Sequence, residues 1–130
     1  MSEMINKYVE IKVDEKSKVL TVKFLDRIPL DDFKKAVQFE YDMIGRHKLQ
    51  KAFIDLRLMP VYPAGATELI KEEWFPKVIS LGLKSIAFVQ PQSVIAKLSM
   101  TSAHKEDTKS PVTMNHFGNA EEALAWLKSL

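Results

Sequence analysis

The stretch "KAFIDLRLMPVYPAGATELI", residues 51–70, decides the fold. Its first half is an apolar run ending at Asp55, with too little alternation for a strand that has one wet face. Such a run reads as a strand covered on both sides, the mark of a parallel sheet with helices above and below. Pro60, Pro63 and Gly65 then interrupt regular structure, each by its own backbone constraint. A helix restarts near Thr67. This order places the loop beyond the carboxyl end of a sheet strand, where α/β proteins bind their ligands.

Working outward, "KYVEIKV" (7–13) puts Val9, Ile11 and Val13 on one face and Glu10 and Lys12 on the other, the period of a half-buried strand. The polar turn "DEKSK" leads to a second strand, "VLTVKFL" (19–25), as an antiparallel hairpin. In "IPLDDFKKAVQFEYDMIGRHK", Phe33, Val37, Tyr41 and Ile44 recur at helical spacing. Asp31 and Asp32 lie near the start, where they cap amides and meet the positive dipole end, and Arg46, His47 and Lys48 lie at the other end. Gly45 is expected to end the regular helix. "QKAFIDL" (50–56) is the next strand.

Beyond the loop, Ile70, Trp74, Val78 and Leu81 mark a helix over "TELIKEEWFPKVISLG" (67–82), which Gly82 closes. Pro76 has no N–H for the carbonyl of Glu72 and disfavours helical backbone at Phe75, so a kink or break is expected there. "KSIAFVQ" (84–90) is a second buried strand. A helix beginning near Ser93 follows, with Val94, Ile95 and Leu98 inward and its pattern fading beyond Met100. "PVTMNHF" (111–117) supplies a last strand. In "NAEEALAWLKSL", Asn119 and Glu122 are placed as a capping box, and Ala123, Leu124, Leu127 and Leu130 bury the final helix. The order β-β-α-β-α-β-α-β-α predicts one α/β domain over residues 1–130: a mixed, mostly parallel five-stranded sheet with four helices and its first strand at an edge.

Composition narrows the function classes. The 130 residues suffice for one core without staples. The absence of cysteine excludes disulfides, thiolate catalysis and cysteine zinc sites, and suits a cytoplasmic location. "MSEMINKYVE" carries charges where a signal peptide needs an apolar core, and no stretch nears the ~18 apolar residues of a membrane span. With 19 basic and 17 acidic residues spread along the chain, net charge is +2, which argues against a nucleic-acid binder. His47, His104 and His116 have no metal-ligand spacing, and only His116 is expected to be partly buried. No glycine-rich phosphate loop or nucleophile-elbow pattern occurs, and no cofactor is expected.

The segments "FIDLR" (53–57), "EEWFPKVISLGLKSIAFVQP" (72–91), "AKLSM" (96–100) and "HFGNAEEALAWLKSL" (116–130) carry a resemblance that covers nearly the whole chain. They resemble the STAS domain of anti-sigma-factor antagonists, and more closely the SpoIIAA-like group of small bacterial proteins. In those antagonists a strand ending in aspartate leads to an Asp-Ser-Ser-Gly-type turn whose serine a partner kinase phosphorylates. Here Asp55 matches the strand-end acid, but Pro63, Ala64 and Gly65 fall where the acid and serines would stand. Thr67 is nearby and out of register. The resemblance thus implies a non-enzymatic regulatory or protein-interaction module without the switch serine, with a protein partner or self-association as a homodimer.

The candidate binding residues are Asp55, Arg57, Met59, Tyr62, Thr67, Trp74, Phe75 and Ser93. Asp55 either orients a ligand or ties down local amides and pairs with Arg57. Arg57 and Tyr62 either contact an anion or planar ligand or cover the sheet edge. Thr67 and Ser93 mark helix N-termini that attract anions, or simply cap them. Trp74, Phe75, Met59 and Met100 are plain core, or line a pocket under a cover formed by residues 58–66 and 100–110. That pocket supports the alternative of a carrier or sensor of a small, partly apolar, lipid-like ligand, which the related lipid-transfer fold also suggests. A third reading is an enzyme using Asp55 and Arg57. An interaction module should expose an apolar patch at Met59, Val61 and Tyr62; a carrier should enclose a few hundred Å³ beside Trp74.

Overall fold

Alternation along the strands assigns each side chain to one of two faces, and the register in the computed structural model, which describes residues 3–59, 62–90 and 112–130, shows both faces filled. Among the described residues the sheet has six strands in chain order: β1 (Glu3–Ile5), β2 (Val9–Asp14), β3 (Val19–Phe24), β4 (Lys51–Asp55), β5 (Ser85–Val89) and β6 (Thr113–Phe117). The first two pairings are antiparallel and the remaining three parallel. The five strands expected from the sequence are therefore six. The extra strand, β1, pairs Glu3 with Lys12 and Ile5 with Glu10, so β2 is interior rather than an edge. Three mostly exposed residues carry no alternation; their pairing with β2 makes them a strand.

One row of cross-strand neighbours runs Leu20–Ala52–Ile86–Met114, and the row beside it runs Val22–Ile54–Phe88–His116. This face packs under α1 (Leu30–His47) and a helical segment over 66–80, and with Val9, Ile11, Phe33, Val37 and Ile44 it forms the larger core. Phe53, Ala87 and Val89 point the other way and pack with Val19 against Ala123 and Leu127 of the final helix, α4 (Ala120–Lys128). The two cores explain why β4 and β5 are apolar without alternation. Burying each such Phe, Ile or Leu contributes roughly 1.5–3 kcal/mol. Asn119 accepts the amide of Glu122 at 2.9 Å, the N-cap of α4. The helix expected near Ser93 lies outside the described residues.

Two helix expectations need correction, and the disruption expected at Pro76 takes a particular form. Gly45 does not end α1. The helix continues to His47 and closes at Lys48, which is left-handed at φ 53° and donates its N–H to the Ile44 carbonyl. A Cβ at Gly45 would sit 3.5 Å from Leu81, ordinary contact, so neither backbone nor packing needs glycine there. Asp31 and Asp32 lie in the first turn, but no side chain caps it; Pro29 stands at the N-cap. The regular α-helix is interrupted just before Pro76, as expected, but by a wider turn and not by a chain break. α2 (Ala66–Leu69), a π turn (Ile70–Trp74) and α3 (Phe75–Ser80) follow one another on helical backbone, with Phe75 at φ −59°, ψ −50°. The Phe75 N–H reaches back five residues to the Ile70 carbonyl. This wider turn leaves Pro76 at the start of a fresh α segment, where its missing N–H costs nothing.

Candidate functional site

At the end of β4, Asp55 is buried and Arg57 half-exposed. One carboxylate oxygen accepts the Arg57 amide and Nε–H, both at 3.0 Å, and the other accepts the guanidinium NH2 at 2.7 Å. These hydrogen bonds to Asp55 raise the Arg57 pKa. The pair closes on itself: both oxygens are engaged within a two-residue turn, which leaves little for a substrate. Among the described residues, no group of three or more His, Asp or Glu side chains could hold a metal ion.

The exposed apolar patch expected of an interaction module is absent from the described loop residues. Met59 is fully buried and Tyr62 nearly so, and neither forms an exposed patch. The Met59 amide donates to the Leu56 carbonyl, and this tight turn folds its side chain under the loop. Leu58 is the outward residue, 54% exposed. Tyr62, Pro63 and Ala64 form one wall of an open groove of about 390 Å³ whose other wall is Tyr8, Arg27, Ile28 and Pro29. Thr67 is half-buried in the first turn of α2, which begins at Gly65 (φ 89°) rather than at a side-chain cap. Ser93, Val61, Met100 and His104 lie outside the described residues. His116 on β6 keeps an exposed surface, but its ring stacks on Phe88 at 5.0 Å and desolvation lowers its pKa, so the imidazole is partly enclosed as expected. His47 is half-buried, and its Nε2 has no hydrogen-bond partner among the described residues.

A different residue dominates the chemistry beneath the helices. Glu40 is 2% exposed, on the buried side of α1. The indole N–H of Trp74, the last residue of the π turn, donates to Glu40 Oε1 at 3.2 Å. Among the described residues no cation faces this carboxyl, and desolvation pushes its pKa up to about 8 against the smaller opposing effect of the indole bond. Glu40 is thus mostly protonated at neutral pH. Burial, and secondarily the negative charge of Glu40, also raise the pKa of Tyr62. The neighbouring Tyr41 hydroxyl donates to Glu73 at 3.0 Å, and burial followed by this bond holds its pKa high.

Glu40, Trp74, Tyr62, Phe24, Phe33 and Phe88 line a half-open cavity. Its free space is about 20 Å³, enough for one water-sized group. A drug-sized ligand needs roughly 300 Å³ or more. Phe75 stands T-shaped against Trp74, with ring centres 4.9 Å apart. Trp74 and Tyr62 are therefore brought together at one place, while Asp55 and Arg57 form a separate pair and Thr67 is at the helix start. Glu40 stands outside the candidate binding residues, although its position in the sequence carries a signal. It lies seven residues after Phe33, three after Val37 and four before Ile44, on the buried stripe.

No helix among the described residues is long and apolar enough to cross a membrane. The sequence matches no family model and no curated protein. Solved structures do match. A crystal structure from Thermotoga maritima, assigned as an anti-sigma factor antagonist, superposes with a TM-score of 0.63 at 16% identity, covering 91% of this chain and 92% of that one. An uncharacterized DUF3478-family protein from Shewanella loihica with a SpoIIAA-like fold superposes with a TM-score of 0.63 at 15% identity, covering 95% and 97%. The chain is an α/β domain of the SpoIIAA-like fold shared by these bacterial proteins.

Proposed function

We propose that this chain is a non-enzymatic regulatory or protein-interaction module of STAS type that lacks a phosphorylatable switch serine. The observation that carries this reading is the loop after β4. Its single acid, Asp55, is occupied by Arg57, and residues 63–65 are Pro, Ala and Gly, none of which accepts a phosphoryl group. Leu58 and Arg57 project from that loop, and the groove between Tyr8 and Pro63 lies in the same region. One protein of the same fold is assigned as an antagonist of an anti-sigma factor, a protein-directed role. Affinity capture with the native chain and with Leu58→Glu as baits tests the reading, followed by titration of the purified partner. A partner held by the native chain and lost by Leu58→Glu is expected, with no phosphate on Thr67. Equal capture by both baits, or stoichiometric phosphate on Thr67, would refute it.

A second reading, a carrier or sensor of a small, partly apolar ligand, rests on the aromatic cavity containing a buried carboxyl beside the π turn, although its free space of about 20 Å³ holds a head group and not the few hundred Å³ expected of an enclosing carrier. Such turns recur at binding sites because they re-aim side chains that a regular helix would point elsewhere.

A further inference from the structure

Burying the Glu40 carboxyl is costly, and among the described residues a single hydrogen bond offsets it. A buried carboxyl is ordinarily paired with a cation or fully hydrogen-bonded. This one has a single hydrogen bond, from Trp74 to Oε1, and Oε2 has no partner among the described residues. Five aromatic residues share the cavity with it: Phe24, Phe33, Tyr62, Trp74 and Phe88. Aromatic faces attract cations and repel anions, more strongly where water is excluded. The free space of about 20 Å³ admits a group the size of water or –NH3+ and no quaternary ammonium.

Resting on the carrier reading above, we propose that this cavity receives the ammonium head of a small primary amine, with the Glu40 carboxylate as counter-ion, the aromatic side chains as walls, and the amine's apolar tail leaving through the open side. The remaining groups facing Glu40 do not compete for this role. Tyr41 on α1 is committed to Glu73 of the π turn, Tyr62 from the loop is a neutral phenol, Trp74 already donates, and the strands contribute Phe24, Ile54 and Phe88. A carboxylic acid neutral below pH 8 must ionise to hold the cation, so affinity should grow as pH rises toward 8 and then level off. A fully open site of this kind binds about 100-fold more weakly at pH 6 than at pH 9, since a primary amine stays charged throughout.

The test follows the Trp74 indole N–H by nuclear magnetic resonance, assigned with Trp126→Phe, while n-hexylammonium, n-hexanol or tetramethylammonium is added. Expected are a saturable shift with hexylammonium, affinity at least about tenfold above hexanol at pH 8.5, and little response to tetramethylammonium. The preference for the amine should vanish in Glu40→Gln and decay in the native protein toward pH 6. Equal binding of hexanol and hexylammonium, or a preference that survives pH 6 or Glu40→Gln, overturns the ammonium site and leaves the carrier reading standing. No response to any of the three overturns both.

Discussion

Glu40 makes the stability of this domain depend on pH in an unusual direction. Its ordinary pKa of 4.5 applies to the unfolded chain and rises to about 8 on folding. Between those values the folded state holds a proton that the unfolded state has released. The stabilisation from the neutral acid is complete below pH 4.5 and is lost as pH climbs through 8. At about 1.4 kcal/mol per unit, the loss approaches 3 kcal/mol at pH 7 and levels off near 5 kcal/mol above pH 8.5. Glu40→Gln keeps the shape and an acceptor for Trp74 but has no proton to lose. Urea unfolding of both proteins at pH 4.5, 6, 7 and 8.5 isolates the effect, because all other groups cancel in the difference. The variant should match the native protein within about 1 kcal/mol at pH 4.5 and exceed it by about 3 kcal/mol at pH 7. Parallel profiles, or a variant less stable at every pH, would refute the assignment of a protonated buried carboxyl.

Four further outcomes follow from particular contacts. Trp74→Phe removes the bond to Glu40 and should cost about 2 kcal/mol in urea unfolding, with the pH midpoint moved upward because that bond favours the ionised acid. Gly65→Ala forces a side chain into φ 89°, with its Cβ 3.4 Å from Leu30, and should lower stability by about 1–2 kcal/mol. Lys48→Gly relieves a left-handed lysine at φ 53° and should raise stability by up to about 1 kcal/mol in the same assay. Asp55→Ala frees Arg57 and the loop amide; a loss near 2 kcal/mol is expected, most of it from the buried turn rather than the half-exposed guanidinium.

Much of the architecture was legible because local period and tertiary burial agree. Val9, Ile11 and Val13 alternate and face α1; Phe33, Val37 and Ile44 repeat at helical spacing and face the sheet; Asn119 caps α4 through the amide of Glu122. The misses occur where a distant partner sets the outcome. β1 has no pattern of its own and exists through β2. The proline rule foresaw a disruption at Pro76 but not that a five-residue turn could absorb it. The loop acid was identified, and its two possible roles could not be separated before the Arg57 geometry was known. Met59 reads as core or pocket lining and Tyr62 as a ligand contact or sheet-edge cover; both are buried because loop backbone can fold its apolar side chains inward. Glu40 was hidden by the rule that glutamate prefers water, which overrode its position on the apolar stripe.

The identity between strand order and chain order has a consequence for how the sheet can grow. Each segment leaving the N-terminal side finds its predecessor's free edge open, so no strand must be threaded between two that are already joined. Assembly can proceed in one direction, like closing a zip, and a nascent chain interrupted after β5 would present a narrower version of the same sheet rather than one with a hole.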